Sequence, residues 1–249
     1  MRYVPKTTPV PKSLQTKATQ KARESVIAAG KYNDKFDARY KSTDVKKALA
    51  DQYHQKCAFC EQKVEQFHVE HFRPKADYYW LAFSWDNLSL SCPTCNQRKD
   101  TNFDCKHGQT SLQSSDSTMI HELAVIYSAR EKNVLIHPEL EDAEPLLEFG
   151  KDGSIHSTDA RADYTIRTCK LDREYLREAR QKILDDFEKA KARRWYKYQK
   201  TRNHIYLLEL HNLIKDFEYI SNNLKTEFLA FRRYILSHWR MDIHTEQQS

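Results

Sequence analysis

Three observations predict an α+β fold for this 249-residue chain. Two Cys-x-x-Cys pairs, Cys57/Cys60 and Cys92/Cys95, bracket a stretch with strand-like alternation. Helical spacing covers about half of what precedes the first pair, and from about residue 160 apolar residues recur at threes and fours almost to the end. The expected molecule has a helical N-terminal segment, a small strand-containing core pinned at its cysteines, and a mainly α-helical C-terminal region. Its 39% hydrophobic and 12% aromatic residues suffice for a packed interior.

Residues 1–42 are expected to form an N-terminal arm and helix. Three prolines with many Lys and Thr make the first 14 residues an extended arm rather than a folded element, and 15 to 30 read as helix. The core is expected over 43–107. Ser42 or Thr43 can cap a helix over 43 to 54 whose Val45, Ala48, Leu49 and Tyr53 share one face, and which delivers the chain to Cys57. Strands are expected within "KVEQFHVEHF" and "LSLSC", and "NQRKDTNF" after Cys95 can begin a short helix.

Residues 108–159 read as linker and small hairpin: a polar loop, "GQTSLQSSDST", then a Pro-interrupted extended segment and a turn at Asp152-Gly153. The helical region is 160–249. There Leu176, Ala179, Ile183, Phe187 and Ala190 mark one amphipathic helix, and Leu210, Leu213, Phe217, Ile220, Leu224, Phe228 and Phe231 a second that packs on it as a hairpin. No internal repeat is present.

No apolar run approaches the roughly 20 residues of a membrane span, mean hydropathy is −0.84, and "MRYVPKTTPVPK" lacks a signal peptide's apolar stretch. A cytoplasmic protein is expected. The 41 Lys+Arg against 35 Asp+Glu give a net charge of +6, compatible with a polyanionic partner without specifying one.

In a reducing compartment two Cys-x-x-Cys pairs read as metal ligands rather than disulfides. Cys57, Cys60, Cys92 and Cys95 supply four thiolates suited to a closed, tetrahedral structural zinc. Cys105 and Cys169 read as ordinary thiols. The pairs are separated by 31 residues, more than the roughly 15 to 20 of the simplest zinc ribbon, so something is inserted between them.

That insertion contains Glu70-His71. Neighbouring strand residues point to opposite faces, so the two can serve one site only where the chain bends, as Pro74 beyond them requires. Glu70 and the amide oxygen of Asn96 form a minimal oxygen-ligand pair for a hard divalent cation. His71, ordinarily near pKa 6.5, can take a proton from water. The cation would stabilise charge on a phosphate and its leaving oxygen, which outlines a phosphodiester hydrolase.

"VEHFRPK", "WDNLSLSC" and "CPTCNQRK" resemble the HNH (ββα-metal) endonucleases. The resemblance implies a zinc-pinned ββα-metal core with Glu70 and Asn96 as ligands of a catalytic Mg²⁺ or Mn²⁺, His71 as general base, and Asn87 as the brace that orients it. Glu70 and Asn96 stand where Asp and His are commoner, giving a more oxygen-rich set of ligands. Together with "VKKALADQYHQKCAFCE" and "TIRTCKLDREYLREAR", the motifs look like the PtuB family of the Septu and retron-associated anti-phage systems. That likeness implies cleavage of nucleic acid, with DNA favoured, leaving 3′-hydroxyl and 5′-phosphate ends. It also implies a PtuA-like ABC/SMC-type ATPase partner and, in a retron, a reverse transcriptase with its non-coding RNA or DNA. No Walker-type motif occurs in the chain, so nucleotide control is expected from another subunit.

Arg73, Lys75 and Lys99, with Arg98, flank the pair and suit phosphate contacts that position substrate without reading its sequence. Tyr78, Tyr79, Trp80, Phe83 and Trp85 read as core under the hairpin, or else as a base-stacking platform. His68, on the strand face of Glu70, either joins the cation's ligands or stands outside them. The basic run 189–202, with Trp195, Tyr196 and Tyr198, is a solvated helix face, a nucleic-acid stripe or a docking surface. Cys105 and His107 form a weaker candidate ligand pair, and His137 has no partner readable from sequence. Two rival functions remain: cleavage of a structured RNA such as tRNA, and a non-catalytic zinc-ribbon adaptor that recruits an ATPase or nuclease.

Overall fold

The computed structural model describes residues 1–239. They form two compact units, one of residues 1–146 and 158–171, the other of residues 147–157 and 172–239; the end of the expected helical region, 240–249, lies outside the described residues. The expected linker region is thus divided between the units, and the first helix after residue 160 belongs to the first of them.

In the first unit, helix α1 (Lys17–Ala29) starts at Thr16, whose hydroxyl accepts from Thr19 N, and stops at Gly30, which takes φ 63° and returns its N–H to the last turn. A short helix α2 (Asp37–Tyr40) leads to α3 (Thr43–Tyr53). Ser42 occupies the cap position of α3, but its side chain makes no capping bond to the helix. Asp44 does that work, accepting from Val45 N and from Ser13 N. Val45, Leu49 and Tyr53 are buried, as their spacing requires.

The two expected strands are short. β1 (His68–His71) and β2 (Leu88–Ser91) pair antiparallel, with Glu70 opposite Ser89 and His71 opposite Leu88. Helix α4 (Pro93–Lys99) begins earlier than expected, inside the second knuckle: Cys92 is its cap and Pro93 its first residue, where a missing N–H costs nothing. These three elements are the ββα unit. Helices α5 (Ala124–Glu131) and, after the other unit's hairpin, α6 (Ala160–Thr168) complete this unit.

Residues 1–11 form no helix or strand and a 3₁₀ turn follows over Lys12–Gln15, yet the segment is not a loose arm. Met1, Val4 and Leu14 are buried, Val4 N donates to Pro138 O, and Lys6 Nζ donates to the carbonyls of Trp85 and Leu88. Tyr78, Trp80, Phe83 and Trp85 are buried too, with Tyr78 hydroxyl donating to Glu131 and Trp80 Nε1 to Tyr127. For these four of the five aromatics the structure selects core, and Tyr79 is half-buried.

In the second unit, β3 (Glu148–Phe149) and β4 (Ile155–His156) make the expected hairpin. Gly153 at its turn has φ 77°, and a Cβ there would stand 2.1 Å from Arg177 O, so only glycine fits. Helix α7 (Glu174–Thr201) is followed by α8 (Ile205–Asn222), with Phe187 and Phe217 rings 4.3 Å apart between them. The second expected helix does not run through. Asn223 is extended and its side chain accepts from Lys225 N, so the chain breaks before α9 (Leu229–Tyr234) and a π-helical turn over Ile235–Trp239.

Candidate active site and metal centre

The thiol cluster is built by two local devices. After α3, His54 and Gln55 adopt positive φ and turn the chain into Cys57, whose carbonyl accepts from Glu61 N to close the first knuckle. Ala58 N donates to Leu90 O and ties that knuckle to β2. In the second knuckle Cys92 Sγ accepts from Cys95 N, 3.3 Å away. All four sulfurs are buried and lie within 4.8 Å of one another. Cys60 and Cys92 sulfurs are 3.8 Å apart, the edge of a tetrahedron with metal–sulfur bonds of about 2.3 Å. The donor set fits a structural zinc. Cys105, only half-buried, and His107 are outside this cluster, as is Cys169.

His71 closes β1, and from it a loop returns to β2. Asn87 pins the two ends of that loop together: its Oδ1 accepts from Arg73 N, and its Nδ2 donates to the carbonyls of Arg73 and Leu81. The loop then presents Ala82 O at 3.0 Å from His71 Nε2. A carbonyl only accepts, so Nε2 carries the proton and Nδ1 keeps its lone pair. Burial lowers the His71 pKa to about 3, the Ala82 bond opposing that shift, and the ring is neutral near pH 7. Tyr40 packs edge-on against it at 4.5 Å.

Glu70, also buried, is met by two residues of α4 three positions apart. Asn96 Nδ2 donates to its Oε2, and Lys99 Nζ stands 3.0 Å from its Oε1. Lys99 also donates to His71 O at 2.9 Å. Burial pushes the Glu70 carboxyl up, and the Lys99 ammonium pulls it back. On the open side His68 Nδ1 lies 3.1 Å from Asn96 Oδ1.

Glu70, His71, Asn96, His68 and Lys75 line one cleft of about 660 Å³. Glu70 and His71 both line this space although they are strand neighbours in regular register with Ser89 and Leu88. The phosphate expectation needs correction. Arg73 is buried, with Nε 2.8 Å from Glu131 and its terminal nitrogen donating to Ser128, so it braces the core behind the loop. Lys99 is buried as the strut beneath Glu70. Lys75 does face the cleft, held by Asp34, Asp37 and Tyr40. Arg98 is exposed on α4.

Sequence reasoning missed Tyr40, Lys41 and Lys46, which also line the cleft. They lie some 25 residues before the pair, and nothing local to the motif signals them. It also missed the Ala82 carbonyl, a backbone group that no side-chain pattern reveals. His137 proves to be a buried ring against Phe72 at 4.0 Å, accepting from Glu139 N.

Among the described residues no helix is long and apolar enough to cross a membrane. Residues 55–102 match the family model of the HNH endonucleases and are an HNH endonuclease domain. Over 173 aligned residues the chain is 30% identical to a Septu protein PtuB of Bacillus mycoides (strain KBAB4). The alignment covers 63% of this chain and 56% of that protein, so the chain spans about half the length of the curated relative it matches.

Proposed function

From the HNH domain and its cleft we propose a metal-dependent endonuclease that hydrolyses phosphodiester bonds, DNA by preference. The observation that carries this reading is the pairing of Glu70 with Asn96 beside a neutral His71 whose Nε2–H is tied to Ala82 O. His71 Nδ1 is the base that takes the proton of the attacking water. Glu70 and Asn96 would hold a divalent cation, their carboxylate and amide oxygens suiting Mg²⁺ or Mn²⁺, which when bound supplies positive charge to the phosphate and leaving oxygen. Asn87 keeps the Ala82 carbonyl in place and so fixes which ring nitrogen is basic. Lys75, with Lys41 and Lys46, suits contacts to the nucleic-acid backbone.

The similarity to a Septu protein PtuB supports a role in anti-phage defence beside a PtuA-like ATPase. A reverse transcriptase with its non-coding RNA or DNA is the retron form of the same proposal.

The test incubates wild type and His71→Ala, each with and without the ATPase, on plasmid DNA and total RNA in Mg²⁺ or Mn²⁺. Cleavage of DNA by wild type alone, lost in a variant that keeps its zinc and melting temperature, is expected. Undiminished activity in His71→Ala refutes a catalytic site here and leaves the adaptor; cleavage confined to RNA overturns the DNA assignment.

A further inference from the structure

We propose that His68 is a third protein ligand of the cation held by Glu70 and Asn96, and that its imidazole makes the site prefer Mn²⁺ and its later neighbours over Mg²⁺. This rests on the metal-dependent reading above. His68 and Glu70 are two apart on β1 and share a strand face. Asn96 stands between them, its amide nitrogen on Glu70 Oε2 and its oxygen toward His68. The His68 Nδ1 to Asn96 Oδ1 distance, 3.1 Å, matches the separation of neighbouring ligands in an octahedron with bonds of about 2.1 Å, which is about 3.0 Å. Two lone-pair atoms at that distance can share one cation. The proton that Nδ1 directs at Asn96 without metal then resides on Nε2.

The surrounding charge argues for the same preference. Lys99 lies 3.0 Å from Glu70 Oε1 and offsets the one carboxylate among these ligands. Magnesium depends on carboxylate charge and sheds water reluctantly, so this neutralised set holds it weakly. An imidazole donor raises affinity along the transition series, where Mg²⁺ gains nothing. His68 is exposed in the cleft and its ring is not part of the core, so its replacement leaves the fold intact.

The experiment loads the thiol cluster with zinc and titrates Mn²⁺ into wild type, His68→Ala, His71→Ala and Glu70→Ala. Bound Mn²⁺ is followed by electron paramagnetic resonance, with pulsed detection of directly coordinated ¹⁴N, and Mg²⁺ is the competitor. Zinc content and melting temperature verify each variant. Wild type and His71→Ala are expected to give the nitrogen signal. His68→Ala is expected to lose it, to bind Mn²⁺ at least about tenfold more weakly, and to discriminate less against Mg²⁺. A signal or affinity that survives in His68→Ala while Glu70→Ala abolishes binding overturns the role of His68 alone. Mn²⁺ binding unaffected by Glu70→Ala, or absent from wild type, removes the cation site and this proposal together.

Discussion

Lys99 shows how one side chain can be misplaced by sequence and explained by packing. Three residues after Asn96 and flanking the expected site, it reads as a phosphate contact, yet it is fully buried between Glu70 and the His71 carbonyl. Removing a buried partner leaves an uncompensated charge, a loss of about 3–5 kcal/mol. Lys99→Met is therefore expected to lower the melting temperature of the zinc-loaded protein. Added Mn²⁺ should restore part of that loss, because the cation and the ammonium neutralise the same carboxylate. Thermal melts with and without Mn²⁺ check this, and an equal loss in both conditions refutes it. His121 offers a second residue-scale prediction. Its Nδ1 accepts from Trp85 N, and burial with the Arg23 charge lowers its pKa to about 4. The unfolded chain, with histidine near 6.5, binds this proton first, so stability falls as pH drops from about 6.5 to 4. His121→Asn, whose amide oxygen can accept the same bond, should reduce the slope of denaturant-measured stability over that window, leaving the part that the buried His71 contributes; an unchanged slope refutes the assignment.

At the scale of elements, the parts legible in sequence are those with a strong local cause. The knuckles, α3, the Asp152-Gly153 turn and the facing helices α7 and α8 follow from spacing, capping and glycine geometry. The length of β1 was not legible, because its alternation continues upstream of His68 while pairing stops there. Nor was the break after Asn222, where the apolar period runs on through Leu224 and Phe228 but a side chain competes for the backbone. The ββα unit is too small to hold itself together by apolar burial, and two strands alone are marginal in water. Cys57 and Cys60 lead into one side of the hairpin, and Cys92 and Cys95 open α4. Chelating the metal, or Cys60→Ser, is thus expected to disorder β1, β2 and α4 together and to abolish nuclease activity. Amide exchange should lose protection from about residue 56 to 99 while α7 and α8 stay protected. Protection retained throughout the ββα unit would refute the zinc clamp.

For the whole molecule, net charge said little and its distribution says more. An excess of six positive charges over 249 residues does not identify a polyanion site, and two of the four basic residues first assigned to phosphate, Arg73 and Lys99, are internal struts. The cations that do face the cleft come partly from 41 and 46, upstream of the first knuckle, so the fold rather than the motif assembles them. Lys41 and Lys75 are each held by Asp37, which spends part of their charge inside the protein. Lys46 makes no ion pair among the described residues and is exposed on the first turn of α3. It is the wall residue with its full charge available to a phosphate. A contact to the backbone carries no base information, so Lys46→Ala, made in the His71→Ala background and assayed without divalent cation so that duplex is not cut, should weaken binding to different duplexes by the same factor. The slope of log affinity against log salt should fall by about 0.9, the release of one counterion from B-form DNA. Fluorescence anisotropy at four salt concentrations measures both quantities. A slope unchanged by the substitution removes Lys46 from the substrate path, and a loss confined to one sequence makes it a base reader instead.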